Sequence, residues 1–271
     1  MTGTLYGLGV GPGAPDLLTL RAVNVLRNVD VILAAASPRN DYSAALETAR
    51  PHLRPDVRLL RLEFPMTRDA AALRTAWETA ARTTRDVLES GADAAFLTIG
   101  DPLVYSTFGY LLRTLRTLAP HLPVEIVPGV TSIQAAAALL RDHDGYLILT
   151  HLRPDGDTVG CAAGLCRALR QLGKTAYILP NHQASSLFTP YFQGLLAGDD
   201  FVPDTVVSVD IAARGLFPEN ARCYLERVDL AIDHHPSQEF FAARTCLDAE
   251  RAACGELIYD ILRELGPITP A

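Results

Sequence analysis

Long apolar runs, paired cysteines and an excess of basic residues are all missing from this sequence. No apolar stretch approaches the ~18 residues that a membrane-spanning helix needs, so we expect no membrane partner. The 24 Lys and Arg residues are outnumbered by 31 Asp and Glu residues, and the net charge of −7 argues against a broad basic face for duplex nucleic acid. The 5 cysteines form no CxxC pair, which predicts buried thiols in a reducing compartment. The first residues contain no basic segment of the signal-peptide kind, so we expect a cytoplasmic protein.

The composition and the order of predicted elements indicate a globular α/β protein. Hydrophobic residues make up 49% and charged residues 20% of the chain. Buried-type strands over residues 29–36 and 94–99 and an amphipathic helix over 69–90 alternate with loops, and the same alternation restarts at Tyr146. We therefore predict two consecutive Rossmann-like units with mainly parallel sheets, a first domain over residues 1–140 and a second over 141–271. The limit falls in the alanine-rich stretch 135–140.

Three predicted strands of the second domain end on side chains that bind metals. Because the carboxyl ends of parallel strands share one edge of a sheet, these loops can converge. Alone, each has an ordinary explanation: Asp-Gly-Asp is usually a turn, His-His is usually a surface or core pair, and a single aspartate often caps a helix. Their joint occurrence predicts a site for two Mn²⁺ or Mg²⁺ ions, which carboxylates and imidazoles suit. The candidate residues are His151, Asp155, Asp157, Asp210, Asp233, His234 and His235.

The glycines of the first of these loops have predicted roles as well. We expect a loop over residues 151–160, in which Gly156 allows a turn between two carboxylates and Gly160 opens the following helix. The amino terminus of that helix would add a site for an anion.

The second half resembles the DHH phosphoesterase family, in its oligoribonuclease and 3′-phosphoadenosine-5′-phosphate phosphatase branch. The segments that carry the resemblance are LTHLRPDGDTVGCAAGLCRALRQLGK, SVDIA, AIDHHPS and LDAERAACGELIYDILRELG, within residues 142–271. The resemblance implies that His151 and Asp155 hold one ion, that Asp157 holds the other and that Asp210 bridges them. It also implies that His234 is a ligand, and that Asp233 and His235 orient the site as its catalytic support.

The sequence departs from that family in its last part. Members of the family continue into a further metal-binding aspartate and a separate substrate-binding domain, and neither is found before Ala271. Asp248 precedes a predicted helix as an N-cap and Asp260 lies within that helix, so neither fits the further position. We therefore expect a metal site that is short of one ligand.

The first half carries three small-residue loops after buried strands. They contain Gly9 to Gly13, Gly100 to Thr107 and Pro128 to Ser132, and all can lie at one sheet edge. The first loop lacks the full GxGxxG form, and no acidic residue follows at the matching strand end, which argues against a dinucleotide site. Structural turns remain the alternative interpretation of these loops.

The first half resembles the tetrapyrrole methylase family, and within it the precorrin-2 C-20 methyltransferases that use S-adenosyl-L-methionine. The segments TLYGLGVGPGAPDLLTLRAVNVLR, FPMTRD, FLTIGDPLVYSTFGYL and VEIVPGVTSIQAAAA carry this resemblance, which stops at about residue 138. It implies a half pocket for the methyl donor, since the family's second domain is not found. The residues implied to contact the donor are Pro12, Gly100, Asp101, Val104, Thr131 and Ser132.

The sequence therefore predicts a fusion of two enzyme halves, each lacking its family's second domain. The first hypothesis is a metal-dependent phosphoesterase that hydrolyses short oligonucleotides or 3′-phosphonucleotides, fused to a partial methyltransferase. The alternatives are a precorrin-2 C-20 methyltransferase of cobalamin biosynthesis and a non-catalytic fusion product. We expect self-association through the faces that each half would expose.

Overall fold

The chain forms two compact units, residues 1–131 and 132–271, in a computed structural model that describes residues 1–37, 42–104 and 106–266. Each unit contains a sheet of five strands, and every strand pairing in both sheets is parallel. The predicted α/β class with parallel sheets is therefore confirmed.

The first sheet has the order β3-β2-β4-β1-β5. Its central strand, β4, is buried at all five positions, as expected of a continuous apolar run with helices on both faces. The strands are β1 Leu5–Gly9, β2 Val31–Ala36, β3 Arg58–Glu63, β4 Ala94–Thr98 and β5 Val124–Val127. The helices are α1 Leu20–Leu26, α2 Ala44–Ala49, α3 Ala70–Glu89 and α4 Phe108–Leu118, with 3₁₀ turns at Pro15–Leu17 and Arg50–His52.

The second sheet has the order β10-β9-β8-β6-β7, and its three central strands are also fully buried. The strands are β6 Tyr146–Leu149, β7 Ala176–Ile178, β8 Thr205–Val209, β9 Leu230–Asp233 and β10 Arg244–Leu247. The helices are α5 Ser132–Asp142, α6 Gly156–Gln171 and α7 Cys254–Leu265, with 3₁₀ segments at Thr189–Phe192, Arg214–Leu216 and Glu219–Arg227.

Helix α5 packs on α7 and β10 and so forms part of the second unit. Its Ala136, Ala137, Leu139 and Leu140 are buried in the same apolar core as α6 and α7. Arg141 at its end donates a hydrogen bond of 2.8 Å to the carbonyl of Glu264. Residues 132–140 were assigned to the first domain on sequence, whereas the structure places them in the second unit.

Two local predictions about the second unit are wrong. Helix α6 begins at Gly156 and not after Gly160, because the Asp155 carboxylate caps it by accepting hydrogen bonds from Asp157 N and Thr158 N. Asp248 is not the N-cap of the last helix. That helix starts at Cys254, and the Asp248 carboxylate instead pairs with Arg251 at 3.1 Å.

Candidate metal centre

The loops after β6, β8 and β9 bring the predicted metal ligands to one edge of the second sheet. These strands are direct neighbours in the sheet and run in the same direction. His151 comes two residues after β6, Asp210 follows β8 immediately, and Asp233 is the last residue of β9. The convergence that the sequence predicted is a direct consequence of parallel pairing.

Asp210 lies at the centre of this cluster. It is 3% exposed, and its backbone has a left-handed φ of 59°. Its Oδ2 is 3.8 Å from His151 Nε2, and its Oδ1 is 3.6 Å from His234 Nε2 and 3.5 Å from His235 Nδ1. Asp210 therefore belongs to two candidate ligand groups at once, one with His151 and Asp155 and one with His234 and His235.

The carboxylate of Asp210 lacks the partner that a buried oxygen needs. Its Oδ1 accepts no hydrogen bond from the part of the chain that the structure describes. Burial raises the pKa of Asp210 to about 6, the negative charges of Asp157 and Asp155 add to this effect, and His235 and His151 oppose it. An ionised carboxylate without a donor is costly in a buried position, and a bound cation would remove that cost. These residues therefore fit a divalent metal.

Two of the histidines are oriented as metal ligands. His151 Nδ1 lies 2.8 Å from the carbonyl of Leu152, and His234 Nδ1 lies 3.1 Å from the carbonyl of Arg251. A proton on Nδ1 satisfies each carbonyl and leaves the Nε2 lone pair of each ring free, facing the carboxylates. The backbone thus fixes both the tautomer and the ring orientation of His151 and His234.

Asp155 and Asp157 combine a possible ligand role with helix capping. Asp155 Oδ1 lies 3.7 Å from His151 Nε2, while the same oxygen caps α6. Asp157 Oδ2 lies 3.8 Å from His234 Nε2 and accepts a hydrogen bond of 2.8 Å from Cys254 N, and its Oδ1 accepts one of 3.0 Å from Gly255 N. Asp157 therefore links the start of α7 to the centre. A carboxylate at the amino terminus of α7 also complements the helix dipole.

Asp233 organises the loop that follows β9. It is fully buried, and its Oδ1 accepts hydrogen bonds from His234 N at 2.8 Å and from His235 N at 3.2 Å. The same oxygen lies 2.8 Å from His235 Nδ1. Burial alone would lower the pKa of His235, but its hydrogen bond to Asp233 and the nearby carboxylates raise it. The engagement of Nδ1 by Asp233 leaves Nε2 as the free ring nitrogen of His235, as in His151 and His234.

Two amides that hold the loops of the centre could not be predicted from the sequence. Gln238 is 5% exposed, and its Nε2 donates to Asp233 Oδ2 at 2.7 Å and to the carbonyl of Ile211 at 2.9 Å. Asn181 Nδ2 donates to the carbonyl of His151 at 3.0 Å. Neither amide stands out in the sequence, because their roles depend on contacts between loops that are far apart along the chain.

The loops after β1, β4 and β5 also meet at one edge, in the first sheet. Gly100 N donates to the carbonyl of Gly11 at 2.8 Å, and Gly129 N donates to Asp101 Oδ2 at 3.1 Å. Asp101 Oδ1 accepts from Leu103 N at 2.8 Å within its own loop, so Oδ2 is the oxygen that links this loop to the one after β5. A side chain at Gly129 would overlap the carbonyl oxygen of Gly100, which explains the glycine there.

The predicted methyl-donor residues divide between the two units. Pro12, Gly100, Asp101 and the half-exposed Val104 lie on the converging loops, and Thr131 ends the first unit beside Gly100. Ser132 begins α5 in the second unit.

Within the described ranges, no helix is both long and apolar enough to cross a bilayer.

Comparison with known proteins divides the chain between residues 143 and 146. The sequence model of the tetrapyrrole (corrin/porphyrin) methylases matches residues 4–143, and that of the DHH family, N-terminal domain, matches residues 146–269. The chain is 42% identical over 139 residues to a cobalt-precorrin-2 C(20)-methyltransferase of Salmonella typhimurium, covering 51% of this chain and 57% of that protein. It is 40% identical over 136 residues to a probable cobalt-precorrin-2 C(20)-methyltransferase of Methanocaldococcus jannaschii, covering 50% and 56%.

Among solved structures, an exopolyphosphatase-related protein from Bacteroides fragilis aligns with 50% of this chain and 44% of its own, at 21% identity and a TM-score of 0.43. The chain spans little more than half the length of the two methyltransferases. The model of the tetrapyrrole methylases covers just over half of the residues, so the chain belongs to the tetrapyrrole methylase family. The chain continues into a region that matches the N-terminal domain of the DHH family.

Proposed function

We propose that the second unit is a metal-dependent phosphoesterase that hydrolyses short oligonucleotides or 3′-phosphonucleotides. The observation that carries this proposal is the Asp210 carboxylate, which is buried, shared by two ligand groups and left with an oxygen that accepts no hydrogen bond from the described chain. A carboxylate between two groups of nitrogen and oxygen ligands is what a pair of neighbouring divalent cations requires. The match to the DHH family over residues 146–269 supports the same interpretation.

The residues divide naturally into two ligand sets. His151 and Asp155 would hold one cation, Asp157 and His234 would hold the other, and Asp210 would contact both. Bound Mn²⁺ or Mg²⁺ ions would supply positive charge to a phosphate group and make a nearby water molecule more acidic. Asp157 is anchored by α7 and Asp155 by α6, so both carboxylates are held in place before a substrate arrives.

Asp233 and His235 would act on the substrate side of the centre. Asp233 fixes the His235 ring through Nδ1, which leaves Nε2 as the ring nitrogen available to a phosphate oxygen. The His235 side chain is 43% exposed, so a substrate can reach it. This arrangement lets His235 orient or protonate the phosphoester, while Asp233 keeps the ring in one tautomer.

Hydrolysis of bis(p-nitrophenyl) phosphate with added Mn²⁺ tests the proposal. We expect turnover in the unchanged protein and a loss of at least a hundredfold in Asp210→Asn, because the amide cannot supply negative charge to two cations. Asp199→Ala, which removes an exposed carboxylate of the same unit, is the matched control and should retain activity. Absence of Mn²⁺-dependent turnover in the unchanged protein would reject the proposal.

A second candidate function belongs to the first unit, which we propose to be an S-adenosyl-L-methionine-binding, precorrin-2 C-20 methyltransferase module. The observations that favour it are the 42% identity to a protein of that kind and the convergence of three small-residue loops at one sheet edge. Calorimetry with S-adenosylhomocysteine is the test. We expect the unchanged protein to bind this ligand and Gly100→Val to abolish binding. Asp56→Ala, a change at the opposite edge of the sheet, should leave binding intact. No heat of binding at millimolar ligand would refute it.

A further inference from the structure

The two ligand sets of the metal centre are supported by different segments of the second unit. His151 Nδ1 faces a carbonyl of its own loop at 2.8 Å, and the Asp155 carboxylate caps the start of α6. Asp157 and His234 instead contact the end of the connecting segment, residues 248–253, and the first turn of α7 that follows it. A change in the connecting segment therefore acts on the second ligand set and spares the first.

The contacts to the second set are made by the backbone. The carbonyl of Arg251 lies 3.1 Å from His234 Nδ1, which fixes the ring with Nε2 towards the carboxylates. Cys254 N and Gly255 N donate to the two oxygens of Asp157 at 2.8 and 3.0 Å. The distance between the two ligands thus depends on where the backbone runs from Arg251 to Gly255.

The side chain of Arg251 joins the two ends of the connecting segment. Its Nε donates to Asp248 Oδ2 at 3.1 Å, directly after β10. Its Nη1 donates to Glu256 Oε2 at 3.4 Å and its Nη2 to Asp260 Oδ2 at 2.7 Å, both on α7. The Arg251 side chain is only 18% exposed, so these charge-assisted bonds are screened less than those of a surface pair.

The backbone of the connecting segment holds its own position weakly. Asp248 N donates to the carbonyl of Asp233 at 3.3 Å, and Arg251 N donates to the carbonyl of Asp248 at 3.4 Å, both at the long end for hydrogen bonds. Helix α7 begins after Ala253, which has no polar side chain to cap it. The guanidinium of Arg251 is therefore a main constraint on the segment that contacts His234 and Asp157.

We infer that Arg251 is a positioning residue for one cation of the centre, the one that Asp157 and His234 would hold. Its guanidinium fixes the connecting segment, and its carbonyl and the amides of α7 transmit that position to the two ligands. The other cation, assigned to His151 and Asp155, does not depend on Arg251. This inference rests on the proposed phosphoesterase function, because it presupposes the two ligand sets.

Calorimetric titration with Mn²⁺ tests the inference. Arg251→Ala should weaken one of two binding events by about 10- to 100-fold, as expected for loss of support behind a metal ligand, and leave the other within about twofold. Arg251→Lys should lie between the two, because an ammonium is a single point and cannot match a fork that faces three carboxylates. Arg263→Ala, which removes an exposed guanidinium from the same helix, is the matched control and should bind both ions normally.

A double-mutant cycle identifies the cation that Arg251 supports. In a His234→Ala background, Arg251→Ala should cause little further loss, since the two changes act on the same ligand. In a His151→Ala background, its effect should be as large as in the unchanged protein. Equal and additive effects in both backgrounds would overturn the inference.

Thermal melts separate positioning from general stability. All titrations are made well below the melting temperature of the variant, and Asp260→Asn, which removes one partner of the guanidinium, provides a milder change that should weaken the same binding event. Both events weakened equally, or both unchanged in Arg251→Ala and Asp260→Asn, would overturn the assignment of Arg251 alone. If the unchanged protein binds no Mn²⁺, the proposed function fails, and the inference fails with it.

Discussion

Replacing Leu140 by alanine tests the claim that helix α5 stabilises the second unit. Leu140 is fully buried and packs in the core that α5 shares with α6 and α7. Its carbonyl also accepts a hydrogen bond of 2.8 Å from the hydroxyl of the fully buried Tyr146. The helix lies within the segment that matches the tetrapyrrole methylases, so its sequence alone assigns it to the other half.

The size of the effect follows from the burial of the side chain. Removing three carbons from a fully buried leucine and leaving a cavity costs about 2–5 kcal/mol. A loss near 3 kcal/mol is a factor of about 100 in the unfolding equilibrium, and for a unit of this size it lowers the melting temperature by roughly 10 °C. Leu111→Ala is the matched control, because Leu111 is equally buried but lies on α4, which packs on α3 in the first unit.

Hydrogen exchange read by mass spectrometry locates the effect. Leu140→Ala should accelerate exchange of the protected amides of α7 about a hundredfold and leave α3 unchanged, whereas Leu111→Ala should do the reverse. If Leu140→Ala accelerates exchange in α3, or leaves α7 as slow as in the unchanged protein, α5 does not stabilise the second unit and the reasoning is refuted.

Three other outcomes follow from single contacts. Gln238→Leu should weaken Mn²⁺ binding in calorimetry and lower the unfolding free energy by about 1–3 kcal/mol, since Asp233 Oδ2 loses its donor; a variant as stable as the parent would contradict the role of the amide. A colorimetric thiol reagent should label only Cys223 in the native chain, because the other four cysteines are buried, and rapid labelling of a second thiol would show that the core opens. Gly129→Ala should destabilise the first unit in a thermal melt, because the new methyl group would overlap the carbonyl of Gly100, and an unchanged melt would exclude that close approach.

Much of the fold could be predicted from local signals. Helix α3 was predicted over residues 69–90 and spans Ala70–Glu89, since Asp69 caps its start and Gly91, with a φ of 92°, follows its end. Strand β4 was predicted over residues 94–99 and spans Ala94–Thr98. By contrast, β3 was missed because its sequence mixes charged and apolar residues without a strict alternation, and it lies at the edge of the sheet. Strand β10 was missed because it is four residues long and only one of them is fully buried.

The centre could be predicted only where parallel pairing dictates the outcome. Asp210 and His234 were placed on neighbouring loops because their strands end at one edge. The left-handed backbone of Arg153 and Phe240 and the amide of Gln238 depend on contacts between separate loops, and no local pattern encodes them. Helix α5 shows the same limit, because its sequence assigns it to the first half whereas its packing on α7 places it in the second unit.

Calorimetric titration with Mn²⁺ tests most directly whether one buried carboxylate holds two cations. We expect two ions per chain for the unchanged protein. Asp210→Asn should weaken both binding events together, because asparagine tolerates the left-handed backbone but carries no charge to share between the ligand sets. Two ions bound by Asp210→Asn with unchanged affinity, or a single ion that does not depend on Asp210, would contradict the account.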